Sequence, residues 1–246
     1  MLFLIGMGPG GRAHMTQRAL EALAASDVIV GYSLYIELLG DLVAGKEVVS
    51  TGMTQEIERC RAAVDLAVQG RAVSVVSTGD PGVYGMAGLT LELLAEADPQ
   101  GRVPVEVVPG VSAVHAAASR LGAPLMTDFA VVSLSDLLTP WETIRARLAA
   151  AASADFVVAL YNPRSRKRRR HLEEACEILL EHRPAETPAG VVRNALRRGE
   201  EVLLTTLAQV PSAPVDMMSV VIVGNRSTRR LGGWIVTPRG YPLSEE

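Results

Sequence analysis

The chain has 246 residues, 48% of them hydrophobic and 21% charged, which excludes a disordered chain and a coiled coil and leaves one large domain or two small ones. Aromatic residues make up only 4%, and the apolar weight rests on Val, Ala and Leu, a bias that favours buried parallel strands, and so an α/β fold, over an all-β sandwich. The 24 basic and 27 acidic residues give a net charge of -3, so overall electrostatics predict no nucleic-acid partner.

Residues 2–5 read as a short buried strand that runs into Gly6, and apolar residues at helical spacing follow over 15–25. The alternation continues with strands at 28–30, 47–49, 73–76 and 105–108 and helices at 55–69, 86–95 and 112–121. Such a pattern implies right-handed crossovers onto a parallel sheet with helices on its faces. It breaks at Gly122-Ala123-Pro124. A boundary is expected there, between an N-terminal α/β domain on a parallel sheet, 1–121, and a C-terminal α/β domain, 122–246. In the latter, strands at 129–133, 156–161, 190–192, 201–205, 219–223 and 234–237 outnumber helices at 141–151 and 168–180. Strands without intervening helices predict a mixed sheet.

Cys60 and Cys176 stand far apart outside any Cys-x-x-Cys or Cys/His cluster, so buried, reduced thiols are expected instead of a disulfide framework or a zinc site. No two histidines have metal-ligand spacing, and no metal is expected. The first residues are apolar but lack a basic flank and stop at Gly6. They fit neither a signal peptide nor a membrane span, which predicts a cytoplasmic protein without a membrane partner.

The loop Gly6-Met7-Gly8-Pro9-Gly10-Gly11 satisfies G-x-G-x-x-G directly after a strand, the setting of a dinucleotide pyrophosphate. A nicotinamide site also wants an acidic residue at the end of the second strand. That strand ends in Gly31-Tyr32, Asp27 lies at its wrong end, and Pro9 removes a donor from the loop. A tight structural turn and a ligand loop of another kind both stay open. Residues 77–85, Ser-Thr-Gly-Asp-Pro-Gly-Val-Tyr-Gly, follow the strand at 73–76, and Pro109-Gly110-Val111-Ser112-Ala113 follow the strand at 105–108. Nine small, flexible or polar residues in a row exceed what a bare turn or a helix cap at Asp80 requires, and point to close backbone approach to a ligand.

Arg164, Arg166, Lys167, Arg168, Arg169 and Arg170 place six cations in seven positions after the strand at 156–161. Cations at a helix start oppose its dipole, so Arg164 and Arg166, nearest the strand end, are expected to meet an anion, while 168–170 begin a solvated helix. Ser133, Ser135 and Asp136 have the residue types of a nucleophile and acid, but no G-x-S-x-G elbow surrounds them, which argues against a serine hydrolase.

Taken together, GMGPGG from Gly6, SDVIVGY from Ser26, STGDPGVYG from Ser77 and EVVPGVSA from Glu106 resemble the tetrapyrrole methylases, the S-adenosylmethionine-dependent enzymes of cobalamin and sirohaem synthesis, over essentially the whole chain. SLSDLLTPWE from Ser133, ALYNPRSRKR from Ala159 and VTPRGY from Val236 are similar to the branch that methylates precorrin-3B at carbon 17 and contracts its ring to precorrin-4. The resemblance implies a class III methyltransferase fold, two α/β domains with a cofactor cleft between them, usually as a homodimer. It implies that Pro9, Thr78, Gly79, Asp80, Val83, Ser112, Ala113, Tyr161, Asn162 and Ala195 surround S-adenosylmethionine or its product S-adenosylhomocysteine. The macrocycle is expected at Arg164, Arg166, Gly10 and Gly11.

Methyl transfer from a sulfonium needs alignment more than a base, whereas contraction needs proton transfers, for which Asp80, Tyr32, Tyr84, His14 and Asp128 are the candidates. In two places the sequence departs from the pattern. Gly11 stands where relatives often carry an acid, and Thr127 where the branch commonly carries a histidine. A methylase acting at another macrocycle position, or on a cobalt-containing precorrin, is the alternative reading.

Overall fold

The computed structural model describes residues 1–242 except Met53, Arg166, Lys167 and Arg169. The chain divides into two compact units, Met1–Ala113 and Val114–Glu246.

The first unit runs β1 (Leu2–Gly6), α1 (Gln17–Ala25), β2 (Val28–Tyr32), α2 (Ser33–Leu39), β3 (Glu47–Thr51), α3 (Glu56–Val68), β4 (Val73–Ser77), α4 (Ala87–Ala97) and β5 (Val105–Val108). Its five strands form one parallel sheet in the order β3-β2-β4-β1-β5. Successive side chains of a strand point to opposite faces, and both faces are covered. Leu2, Leu4, Val30 and Val75 pack with Cys60 and Val64 of α3 and Leu94 of α4, whereas Phe3, Ile5, Ile29 and Val76 pack with Ala22 and Leu23 of α1 and Leu39 of α2. Burial on both sides explains why β1 reads as an apolar run up to Gly6 and why β4, up to its last residue Ser77, is broken only by the small, buried Ser74, which bonds to Ser26.

The two helix layers also record the winding. From β1 through β2 to β3 the chain moves one way across the sheet under α1 and α2, then returns through β4 to β5 under α3 and α4. The direction reverses at the adjacent strands β1 and β4, and ligands of open α/β sheets bind at the carboxyl ends of such strands.

α5 (Ala113–Leu121) leads into the second unit, followed by β6 (Gly122–Ala123), β7 (Phe129–Ser133), α6 (Trp141–Ser153), β8 (Val157–Tyr161), α7 (His171–Leu180), β9 (Pro188–Arg193), β10 (Glu201–Thr206), β11 (Ser219–Val223), β12 (Arg229–Leu231) and β13 (Trp234–Val236). The main sheet has the order β10-β9-β11-β8-β7. Only its β7–β8 pair is parallel, and the other three pairs are antiparallel. On one face Ile144 and Leu148 of α6 and Leu172, Ala175, Cys176 and Leu179 of α7 pack over Val132, Leu160, Val191 and Val221. A second sheet, β12-β13-β6, completes the unit.

The division of the chain lies at the start of α5 and not at its end, where the Gly-Ala-Pro break would put it. The reason is packing: the methyl carbons of Leu121 sit 2.4 and 2.5 Å from where a Cβ on Gly190 of β9 would be, so α5 is fitted to the second sheet. The helix expected over 168–180 begins at His171. Among the described strands and α-helices, three are not expected from the sequence: α2, which follows β2 without a loop, and the short strands β6 and β12. Among the described residues no helix is long and apolar enough to cross a membrane.

Candidate active site

In the first unit the loops after β1, β4 and β5 are joined backbone to backbone. Gly8 and Gly79 form an antiparallel bridge, the Gly8 N–H donating to the Gly79 carbonyl at 3.0 Å and the Gly79 N–H to the Gly8 carbonyl at 2.7 Å. The third loop comes equally close. A Cβ on Gly110 would lie 2.2 Å from the Gly79 carbonyl oxygen and 2.6 Å from that of Gly6, and one on Gly6 would lie 2.6 Å from the Gly110 nitrogen. No side chain fits at either position, so glycine is required where the three loops meet.

Asp80 ties this junction together: its Oδ1 accepts from the Gly82 N–H at 2.8 Å and its Oδ2 from the Gly110 N–H at 3.1 Å. The leading acid–base candidate of the sequence is therefore engaged through both carboxylate oxygens in joining the loops after β4 and β5. Gly79 has φ +69°, yet a Cβ there would approach nothing closer than 3.5 Å, that being the Ala113 nitrogen, with Ser112 Cα at 3.6 Å. Space beside Gly79, against Ser112 and Ala113, is what a bound ligand would use.

The structure brings Pro9, Thr78, Gly79, Asp80, Val83, Ser112 and Ala113 onto these three loops. Pro9, Gly10, Gly79 and Ser112 are buried, Thr78, Asp80 and Ala113 half-buried, and Val83 and Tyr84 exposed. Tyr84 has φ +54°. Gly11 is exposed with open space around its Cα. His14 closes a 3-10 turn with Nδ1 3.3 Å from the Gly10 carbonyl, and the His14 carbonyl lies 2.6 Å from where a Cβ on Gly8 would be. Tyr32, half-buried at the end of β2, stacks edge-on with Tyr35 at 5.2 Å. A depression bordered by Met1, Ala67, Asp98, Arg102 and Pro104 lies instead at the amino ends of β1 and β5, away from the loops after β1, β4 and β5.

The strand ends of the second unit are built from side chains. The Tyr161 hydroxyl at the end of β8 accepts from the Val114 N–H at 2.7 Å, satisfying a backbone donor in the first turn of α5. Asn162, at φ +51°, donates through Nδ2 to Ser133 Oγ at 2.9 Å, and the Ser135 N–H donates to the same hydroxyl. Ser133 thus joins the ends of β7 and β8. Ala195 lies between Asn194 and Leu196, both with positive φ. Asp128 is exposed and its carbonyl accepts from Val157 N–H. Thr127 carries a buried Oγ1 that has no hydrogen-bond partner among the described residues.

The basic run behaves differently from expectation. Arg164 pairs with Glu173 of α7 and donates to the Pro211 carbonyl at 3.0 Å, so its guanidinium clamps two elements of its own unit. Arg166 lies outside the described residues. Arg168 is not part of a solvated helix start: it is buried, at 8% exposure. Its backbone is held by a turn in which Ser165 Oγ accepts from the Arg168 N–H and the Arg168 carbonyl accepts from the Ser165 N–H. Sequence alone missed the Asp136–His171 contact, 3.1 Å between Oδ2 and Nε2, in which the imidazole also stacks on Trp141.

Both cysteines are free and buried. Burial pushes the thiol of Cys60 up and that of Cys176 to about 12, so neither is a ready thiolate. Among the described residues no group of three or more His, Cys, Asp or Glu side chains could hold a metal ion.

Residues 1–211 match the family described as Tetrapyrrole (Corrin/Porphyrin) Methylases. The chain is 52% identical over 243 residues to "Probable cobalt-factor III C(17)-methyltransferase" of Salmonella typhimurium, covering 99% of this chain and 100% of that one. It superposes on the crystal structure of the methyltransferase CobJ with a TM-score of 0.90 at 37% identity, covering 96% of this chain and 99% of that one. Uroporphyrin-III C-methyl transferase from Thermus thermophilus, solved with S-adenosylhomocysteine, superposes with a TM-score of 0.70 at 26% identity over 91% of this chain and 96% of that one. A doubly wound parallel unit, a mixed-sheet unit and a three-loop junction of glycines accompany these likenesses, and the chain belongs to the tetrapyrrole methylase family.

Proposed function

We propose that the chain transfers the methyl group of S-adenosylmethionine to carbon 17 of a cobalamin-precursor macrocycle and contracts the ring. The observation that carries the cofactor half of this reading is the junction of the β1, β4 and β5 loops, where Gly6 and Gly110 are packed too closely for any side chain and a Cβ on Gly79 would meet nothing closer than 3.5 Å. The relative with bound S-adenosylhomocysteine supports the same ligand. Carbon 17 and the cobalamin pathway are supported by the full-length relative named for cobalt-factor III. That name favours cobalt-factor III as the macrocycle. Precorrin-3B, contracted to precorrin-4, is the second reading, supported by the segments that start at Ser133, Ala159 and Val236.

When bound, S-adenosylmethionine supplies a methyl group already activated on a sulfonium. The protein's part is then to orient and to exclude water. Pro9, Thr78, Gly79, Val83, Ser112 and Ala113 would hold the cofactor in the first unit. Asp80 acts as a positioning residue, holding the loops after β4 and β5 at a fixed distance through two backbone N–H groups. Tyr161, Asn162 and Ala195 would contribute from the second unit. For the proton transfers of contraction, Tyr32, Tyr84 and His14 in the first unit and Asp128 in the second remain as the groups whose chemistry suits the task.

Incubating the purified protein with S-adenosylmethionine and, separately, cobalt-factor III and precorrin-3B tests the reading by mass spectrometry and by the carbon that carries the new methyl. A product one methyl heavier, substituted at carbon 17, is expected. Methylation of neither macrocycle, or at another carbon, would overturn it.

A further inference from the structure

Three arginines are buried among the described residues: Arg59, Arg168 and Arg183. Two of them find oxygen acceptors. Arg59 donates to Thr51 Oγ1 at 2.5 Å and to the Gly52 carbonyl at 3.3 Å, with Glu56 at 3.8 Å. Arg183 donates to the carbonyls of Gly224 and Phe156. Arg168 has neither. Its Nε and Nη1 are buried without a partner, and the contact of Nη2 is with the thioether of Met217 at 3.4 Å, a weak acceptor.

A buried guanidinium without oxygen acceptors is expensive, because it has given up hydration and received little in return. Arginine cannot escape that cost by losing its proton, so the compensation must come from an acceptor. Among the described residues no acid pairs with it, and the buried Oε2 of Glu173 is likewise without a partner. The other oxygen of Glu173 is paired with Arg164. Asp216, beside Met217, would be raised by burial, but Arg193 at 2.7 Å, the Met218 N–H and Ser219 outweigh that and hold its carboxyl low. Two hydrogen bonds with Ser165 hold the Arg168 backbone from which the side chain projects.

We propose that Arg168 is an oxyanion-binding residue and that its partner is a carboxylate on the rim of the macrocycle. This rests on the tetrapyrrole reading above, since such a macrocycle carries acetate and propionate groups. It moves substrate recognition from Arg164, whose Nη2 already meets Glu173 and the Pro211 carbonyl, to the arginine that lacks any oxygen acceptor. The cost of keeping Arg168 unpaired in the free protein is the kind of local instability that functional sites retain.

The test compares wild type with Arg168→Met and Arg168→Lys by titration with cobalt-factor III, precorrin-3B, S-adenosylhomocysteine and inorganic phosphate, and by thermal unfolding without ligand. Arg168→Met should bind the macrocycle about tenfold or more weakly, the scale of one lost charge-assisted hydrogen bond. Its S-adenosylhomocysteine affinity should be unchanged and its Tm equal to wild type or higher. Arg168→Lys should recover part of the macrocycle affinity. Equal macrocycle binding by wild type and Arg168→Met would overturn the assignment alone, as would a phosphate site lost in Arg168→Met while macrocycle binding persists. Failure of wild type to bind either macrocycle, with S-adenosylhomocysteine still bound, would remove the tetrapyrrole reading and this proposal together. A lower Tm in Arg168→Met with unchanged macrocycle affinity would mark Arg168 as purely structural.

Discussion

The strand-end loops of the two units are made from different material. In the first unit Gly6, Gly8, Gly79 and Gly110 bring backbone against backbone, with the Asp80 carboxylate tying the loops after β4 and β5. In the second, Tyr161, Asn162, Ser133 and Arg164 do the joining through side-chain hydrogen bonds. A backbone junction has no room to adapt, because nothing can rotate away from an added atom, whereas a side-chain junction loses one bond at a time. The first unit should therefore respond to substitution in steps set by geometry, and the second in increments set by hydrogen bonding.

The largest effect is expected at Gly110. A Cβ 2.2 Å from the Gly79 carbonyl oxygen and 2.6 Å from that of Gly6 meets only backbone, so Gly110→Ala must push two loops apart and should cost about 3 kcal/mol or more. Thermal unfolding and calorimetric titration with S-adenosylhomocysteine should show a large fall in Tm together with lost binding. Near-wild-type values in both would mean the junction is not rigid.

Gly79 separates strain from space. Gly79→Ala should cost about 1–2 kcal/mol, the penalty for a left-handed backbone at φ +69°, and still fold. Gly79→Leu adds bulk where only Ser112 and Ala113 are near, and should abolish S-adenosylhomocysteine binding at a stability close to that of the Ala variant. If the Leu variant binds as well as the Ala variant, the cofactor does not lie beside Gly79.

Asp80 comes next. In Asp80→Asn one carboxylate oxygen becomes an N–H₂ donor facing a backbone N–H, either that of Gly82 or that of Gly110. A loss of about 1–3 kcal/mol is expected, the cost of a broken hydrogen bond to a charged group, with weaker cofactor binding in proportion. Unchanged stability with chemistry abolished would instead make Asp80 an acid or base.

These contrasts also explain what the sequence could reveal. The parallel sheet was legible because strands covered on both faces, such as 2–5 and 73–76, become almost wholly apolar runs, and the strand-end loops because glycines cluster there. The role of Asp80 was hidden, since nothing local shows that two N–H groups from different loops converge on one carboxylate. The burial of Arg168 was hidden too. Six cations in seven positions read as a solvated face, and the burial of Arg168 with its guanidinium against Met217 shows otherwise. Likewise Arg164 seemed free to meet substrate because Glu173, its partner, lies nine positions away across the start of α7. Arg164→Ala should thus lower stability by about 1 kcal/mol, modest because both side chains are partly exposed. Adding Glu173→Gln should recover part of it. A drop in macrocycle affinity without loss of stability would return Arg164 to the substrate site.

The smallest expected effect lies at the pair that links α1 to β5 in the first unit. Arg18 donates through Nε to Glu106 Oε1 at 2.6 Å and through Nη2 to Oε2 at 2.5 Å, a two-point guanidinium–carboxylate contact. The hydrogen bond from Arg18 holds the Glu106 carboxyl below its ordinary value. A carboxyl lowered in the folded state binds its proton more weakly there than in the unfolded chain, so folding gains stability above the unfolded value of about 4.3 and loses it as the pH falls through the folded one. Both side chains are substantially exposed, and salt screens such a pair. Glu106→Gln should therefore lower Tm slightly at neutral pH and low salt. The gap to wild type should close as the solution is acidified below the ordinary carboxylate range, and shrink at high salt. A gap that stays constant with pH would show that Glu106 contributes by packing and not by its charge.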